Sequence, residues 1–72
     1  MRLSELGVGK KATVRELQGG DQFKSKLKTM GLREGKQITV IAKEPAHGPV
    51  VVKIGNTTLT IGRGMADKIL VE

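Results

Sequence analysis

Residues 21–40 read DQFKSKLKTMGLREGKQITV, and this stretch decides the fold. Phe23, Leu27 and Met30 recur at positions i, i+4 and i+7, so they share one face of a helix. Asp21 is placed to cap the amino end of that helix with a side-chain oxygen. The stretch therefore predicts a short amphipathic helix that starts at its acidic first residue.

Gly31 is predicted to end this helix in the left-handed conformation, which a glycine adopts at little cost and a residue with a Cβ does not. In the Schellman motif that this implies, Leu32 packs against Leu27. The chain then enters a strand predicted over Gln37–Lys43. Because this strand is apolar on both faces, we expect it to be central and curved.

The clearest hairpin follows a loop predicted at Pro45–Pro49. Its strands, Val50–Ile54 and Thr57–Ile61, are joined by Gly55-Asn56, a pair suited to a two-residue primed turn. This loop length predicts the register and places all paired side chains on the core face. The predicted pairs are Ile54 with Thr57, Val52 with Leu59, and Val50 with Ile61.

Three further elements complete the prediction. A first strand covers Ala12–Leu17 and is broken by Gly19-Gly20, a turn or one-turn helix covers Gly62–Ala66, and a last strand covers Lys68–Val71. We therefore predict a mainly β fold, a small and strongly bent SH3-like barrel of about five strands, with one short α-helix between the first two strands.

Size and composition predict one domain over residues 1–72 with a thin core. The chain has no cysteine, no apolar run of the roughly 20 residues that span a bilayer, and no signal-peptide core in MRLSEL. We therefore expect a soluble, cytoplasmic protein. Thirteen Lys and Arg against seven Asp and Glu give a net charge of +6. That charge favours acidic partners, although a solvated surface kept soluble by excess charge is the simpler explanation.

Residue types argue against catalysis and against a tight metal site. The chain has one His and no Cys, and neither Ser4 nor Ser25 has a predicted base beside it. Glu44 and His47 are the only neighbouring His and carboxylate, so they are the candidates for weak metal binding. A tight ferrous site typically needs two His and a carboxylate, which this chain lacks. We expect no cofactor beyond a transient ferrous ion.

Nucleic acid and proline-rich peptides are the alternative partners for a small basic barrel. Small basic barrels often bind RNA or DNA, but they usually stack bases on aromatic side chains. The only aromatic residue is Phe23, on the apolar side of the predicted helix. Proline-rich peptides also need an aromatic groove, and the chain has neither Trp nor Tyr. A nucleic-acid-binding barrel stays open as an alternative, and a small-molecule substrate is not expected.

Apolar residues and glycines recur in a pattern that covers nearly the whole chain. The motifs are Leu3-x-x-Leu6-x-x-Gly9-x-x-Ala12-x-Val14, Leu27-x-x-Met30-Gly31-Leu32-x-x-Gly35-x-x-Ile38-x-Val40, Gly48-Pro49, and Met65-Ala66 ahead of Ile69-x-Val71. Together they resemble the ferrous iron transport protein A (FeoA) family. This resemblance implies a non-enzymatic accessory protein of bacterial ferrous iron uptake. Its implied partner is the ferrous iron permease, a membrane protein with a cytosolic GTPase domain, through which alone this protein would meet the membrane.

Candidate partner-binding residues are those that the pattern leaves outside the core near the helix and in the loop: Lys24, Lys28, Thr29, Arg33, Ala46 and His47. An arginine finger for the GTPase would need an exposed, well-held arginine; Arg33 and Arg63 are the candidates, although both are more simply surface residues. The family-related alternative is a detached copy of the barrel found in iron-dependent repressors. In those chains a winged helix precedes the barrel, whereas here the pattern begins at Met1, which disfavours that reading.

Overall fold

The computed structural model describes residues 1–72, and five antiparallel strands form its single sheet. The strands are β1 (Lys11–Leu17), β2 (Gln37–Lys43), β3 (Val50–Ile54), β4 (Thr57–Ile61) and β5 (Ile69–Val71). Their order across the sheet is β4-β3-β2-β1-β5. β2 is the middle strand, as its two apolar faces predicted. β4 and β5 are the two edges and do not pair with each other, so the sheet curves without closing.

Three short helical segments accompany the sheet: a 3-10 helix at Leu3–Glu5, α1 at Asp21–Thr29 between β1 and β2, and α2 at Arg63–Ala66. The predicted five strands and the helix between the first two are therefore confirmed. The 3-10 helix was not predicted, because three residues are too few to show a helical period. No helix is long and apolar enough to cross a bilayer.

The carboxyl end of α1 is the predicted Schellman motif. Gly31 has φ of 97°. The Leu32 amide donates to the Leu27 carbonyl over 2.9 Å, and the Gly31 amide donates to the Lys28 carbonyl over 3.0 Å. Leu27 and Leu32 are both fully buried in the core. This ending turns the chain sharply into the loop before β2 and so sets where the residues around Gly31 lie.

The predicted cap at the amino end of α1 is wrong. Gly20 is the capping residue, with φ −78° and ψ 170°, and no side chain caps the helix. Asp21 is instead the first helical residue, where a carboxylate still interacts favourably with the helix dipole. The preceding double glycine explains the shift, because Gly20 supplies the extended backbone that a cap requires.

Phe23 and Met30 lie beside the core as predicted, but both are half-buried. The Phe23 ring covers Gly19, where a Cβ would stand 2.9 Å from a ring carbon. Lys68 Nζ lies 5.1 Å from the centre of the ring. The single aromatic side chain thus packs under a lysine and against the loop before α1, which leaves no aromatic platform for stacking.

The β3–β4 register is confirmed at every predicted pair. Gly55 has φ of 58°, as the first central residue of a primed turn must. The expectation that all six paired side chains face the core is wrong only for Thr57, beside the turn, which is exposed. Val50, Val52 and Ile61 are fully buried, and Ile54 and Leu59 are half-buried and packed against the core. The hairpin is longer than the core beneath it, so its tip extends past the buried layer.

Candidate functional site

The predicted contact residues of the helix group lie around its carboxyl end. Lys28, Thr29 and Arg33 are exposed, while Lys24 is half-buried and so is less exposed than its predicted place outside the core implied. The Thr29 hydroxyl donates to the Ser25 carbonyl over 2.9 Å. Because Gly31 turns the chain between Lys28 and Arg33, these two cations flank the turn and are free to meet a partner.

A groove beside this turn brings together three lysines that sequence reasoning did not group. We call it the lysine groove, and its lining residues are Lys11, Gly31, Lys36, Gln37, Thr39, Lys53, Ile54 and Gly55. It contains no carboxylate. Lys11, Lys36 and Lys53 are all exposed, so the groove is an open cationic surface rather than an enclosed cavity.

The sheet register creates this groove. Lys11 on β1 is opposite Thr39 on β2, and Thr39 is opposite Lys53 on β3. Thr58 on β4 continues the row, since it is opposite Lys53. Alternation along one strand places Lys11 and Lys53 on the outer face, but only knowledge of which strands pair would have grouped them.

The loop group of predicted contact residues lies elsewhere. Ala46 and His47 are exposed and have φ of 58° and 60°, the left-handed region that non-glycine residues rarely adopt. The Gly48 amide donates to the Pro45 carbonyl over 3.1 Å, which closes a four-residue turn. Two positive φ values inside such a turn are the mark of type I′, which favours Asn-Gly over Ala-His.

Arg63 holds this turn from α2. Its Nε donates to the Gly48 carbonyl over 3.0 Å, and one terminal nitrogen donates to the Glu44 carbonyl over 3.5 Å. The side chain is half-buried and occupied by these contacts. Arg63 is therefore a structural clamp, whereas Arg33 remains exposed and is the only one of the two able to reach a partner.

The weak metal candidates do not gain further ligands from the fold. Glu44 and His47 are exposed on the same turn. No group of three or more His, Cys, Asp or Glu side chains comes together to hold a metal ion. The donor set at this turn is thus one imidazole and one carboxylate, fewer than a tight transition-metal site requires.

The helix group and the loop group lie at opposite ends of β2. Gln37, at the start of the strand, lines the lysine groove beside Gly31, and Lys43 leads into the turn that carries His47. Seven residues at about 3.3 Å each separate the two ends by roughly 20 Å. The six predicted contact residues therefore form two patches, and the outer face of β2 and β3 connects them.

Comparison with known proteins places the chain in a family. A protein-family sequence model, described as the FeoA domain, matches residues 1–72 of the chain. An Fe(2+) transport protein A/Fe(2+) transporter FeoB fusion protein of Porphyromonas gingivalis is 38% identical over 72 residues, which are 100% of this chain and only 8% of the fusion protein. A putative Fe(2+) transport protein A of Methanocaldococcus jannaschii is 33% identical over 64 residues, which are 89% of this chain and 76% of that protein.

Solved structures share the fold over the whole chain. A crystallised iron uptake regulatory protein (FeoA) has a TM-score of 0.92 and 36% identity, covering 100% of this chain and 95% of its own. Stenotrophomonas maltophilia FeoA, a prokaryotic SH3 domain protein crystallised with zinc, has a TM-score of 0.80 and 28% identity, covering 100% and 89%. These structures confirm the SH3-like prediction.

The repressor alternative is a likeness of fold alone. A manganese-dependent transcriptional repressor has a TM-score of 0.90 but 22% identity, covering 99% of this chain and 40% of the repressor. The family match, in contrast, extends from the first residue to the last and agrees with the motifs around Gly31. The chain belongs to the FeoA family, the non-enzymatic accessory proteins of ferrous iron transport.

Proposed function

We propose that this protein acts in the cytoplasm as an accessory protein of ferrous iron uptake that docks on a FeoB-type permease carrying a GTPase domain. The observation that carries the proposal is the Porphyromonas gingivalis fusion, in which a segment 38% identical to the whole chain belongs to one polypeptide with FeoB. Fusion keeps the two domains at a high effective concentration. A FeoA domain on a polypeptide of its own would have to bind its partner through its own surface.

The positive charge of this protein favours its encounter with an acidic partner. The net charge of +6 and the carboxylate-free lysine groove attract an acidic face and raise the rate of encounter with it. Lys28 and Arg33 extend this cationic surface beyond Gly31. We assign the first contact to the helix group, Lys24, Lys28, Thr29 and Arg33, because its exposed members lie within three residues of Gly31, which lines the groove.

The loop group supplies a second contact. Ala46 and His47 project from a turn that Arg63 holds in place, so little conformational freedom is lost when they meet a partner. An interface of standard size buries about 800 Å² on each partner, a patch roughly 30 Å across. One partner therefore reaches both groups only by lying along the outer face of β2 and β3.

The test is binding of the purified protein to the FeoB-type permease of the same organism, reconstituted in lipid nanodiscs. We expect binding at low salt that weakens as salt rises, because exposed charges are screened. Nuclease treatment must leave the binding intact. No binding in any nucleotide state of the GTPase would overturn the proposal, and binding lost after nuclease treatment would favour the nucleic-acid alternative.

A further inference from the structure

The two edge strands of the sheet differ in whether another segment of the chain covers their outer side. The outer side of β5 is covered by the amino terminus: the Val71 amide donates to the Met1 carbonyl over 2.7 Å, and Arg2 forms a bridge with Leu70. The amino group of Met1 also donates to the Val71 carbonyl over 3.3 Å. β4 has no such cover and pairs only with β3. One edge of this small sheet is thus closed and the other is open.

The open edge presents unused backbone groups at Thr58 and Thr60. In a hairpin with a two-residue loop, the residues beside the turn exchange hydrogen bonds, and so does every second pair after them. Here those pairs are Ile54 with Thr57, Val52 with Leu59 and Val50 with Ile61. The amide and carbonyl groups of Thr58 and Thr60 therefore point away from β3. Neither residue takes part in any backbone hydrogen bond to a turn or loop.

β4 also lacks the features that usually prevent an edge strand from pairing with another chain. Its sequence, TTLTI, has no charge and no proline, and its pairing with β3 runs through five residues without a bulge. Thr57, Thr58 and Thr60 are exposed. Threonine and isoleucine favour extended backbone, so the edge is already shaped to accept another strand.

Charge identifies the kind of strand that fits. Lys53 is opposite Thr58 on the outer face, and neither β3 nor β4 contains Asp or Glu. A strand added to β4 would lie two spacings, about 10 Å, from β3, a distance that a lysine and a carboxylate side chain bridge together. A second copy of this chain would bring another +6 charge to the same edge, which disfavours self-association.

We propose that β4 is a docking edge for an extended acidic polypeptide segment, which adds to the sheet as a sixth strand through the backbone groups of Thr58 and Thr60. Backbone hydrogen bonds supply the attachment, as in other cases of strand addition, and carboxylates beside Lys53 select the segment by charge. That the segment belongs to the permease would rest on the function proposed above. The docking edge itself does not depend on that function.

The test uses synthetic peptides, so it needs no permease. The ¹⁵N-labelled protein is titrated with a ten-residue peptide in which Glu alternates with Val and Thr, and with the same peptide carrying Lys in place of Glu. We expect the Thr58 and Thr60 amides to exchange with solvent at least tenfold more slowly with the Glu peptide. The Lys peptide should have little effect, and Lys53→Glu should reverse this preference.

Two variants test the edge directly. Thr58→Pro removes one donor and should abolish protection at Thr60. Thr58→Glu, a milder change at an exposed position, places a carboxylate opposite Lys53 and should weaken binding of the Glu peptide at least fivefold even if the proline variant fails to fold. Unchanged exchange at Thr58 and Thr60 with a saturating peptide would overturn the proposal. Protection that appears without peptide, together with a doubled mass in sedimentation, would also overturn it in favour of a second copy.

Discussion

Arg63 Nε lies 3.0 Å from the carbonyl oxygen of Gly48, so α2 holds the β2–β3 turn in place. A Cβ at Gly48 would stand 2.7 Å from Glu44 Cβ, so the turn closes tightly beneath this contact. The turn itself contains two left-handed residues that are not glycine. Such backbone persists only where surrounding contacts hold it, and the clamp from Arg63 adds to the backbone hydrogen bonds from Gly48 to Pro45 and from Glu44 to Pro49 that close the turn.

Replacing Arg63 with Ala should therefore loosen the turn. We expect a loss of about 1 kcal/mol of unfolding free energy, near the value of an ordinary hydrogen bond, because the side chain is half-exposed. The Gly48 amide should also exchange faster with solvent. Urea denaturation and hydrogen exchange measure the two effects, with Arg33→Ala as the matched exposed control. Equal effects of both substitutions would mean that the clamp does not hold the turn.

Substitutions at Ala46 and His47 should make the turn, and with it the domain, more stable. Left-handed backbone costs an L residue other than glycine roughly 1–2 kcal/mol, and Asn-Gly is the pair that a type I′ turn prefers. We expect Ala46→Asn combined with His47→Gly to raise the unfolding free energy by about 1 kcal/mol in urea denaturation. A parallel binding assay is informative, because a more stable protein with weaker permease binding would support the loop group as a contact.

Sequence reasoning succeeded at two places where glycines in a short stretch determine the structure. Gly31 ends α1, and Gly55-Asn56 sets the β3–β4 register, because both depend on residues within a few positions of each other. The lysine groove was not predicted because β1 and β2 are separated by the helix, and no local rule gives their register. The type I′ turn was not predicted although it is local, because Ala and His are residue types that this turn disfavours at the positions of Ala46 and His47.

The left-handed position of Gly31 leads to a prediction with an internal control. Gly31 has φ of 97°, whereas Gly64 lies in α2 without positive φ, and neither has an atom within 4 Å of a built Cβ. Gly31→Ala should cost about 1–2 kcal/mol through backbone strain. Gly64→Ala should stabilise by about 0.5 kcal/mol, since glycine is unfavourable inside a helix. Urea midpoints that move in the same direction would contradict this account of how α1 ends.

Ferrous or manganous ion should leave the melting temperature nearly unchanged. A ligand at 100 times its dissociation constant adds about 2.7 kcal/mol, which raises the melting temperature of a domain this small by more than about 10 °C. Glu44 and His47 alone supply too few donors for such affinity. A rise of several degrees under anaerobic conditions that disappears in His47→Ala would show that this turn is a metal site after all.

Charge reversal around the carboxyl end of α1 should weaken binding to the permease without unfolding the domain. Lys28 and Arg33 are exposed beside Gly31, so replacing both with Glu removes cations from the proposed contact and opens no cavity. Charged pairs act mainly on encounter rate and specificity, so the association rate should fall most, and most at low salt.

The matched control is Arg15→Glu with Lys26→Glu. Both residues are exposed, and the net charge falls from +6 to +2 in either double variant, since each substitution removes two units. A loss of long-range attraction would slow both variants equally, whereas a local contact slows only the first. Equal association rates in surface plasmon resonance would therefore remove the helix group as the docking surface. A lower melting temperature in the Lys28 and Arg33 variant alone would show that these cations stabilise the turn after α1, and the contact would then have to be sought along β2 and β3.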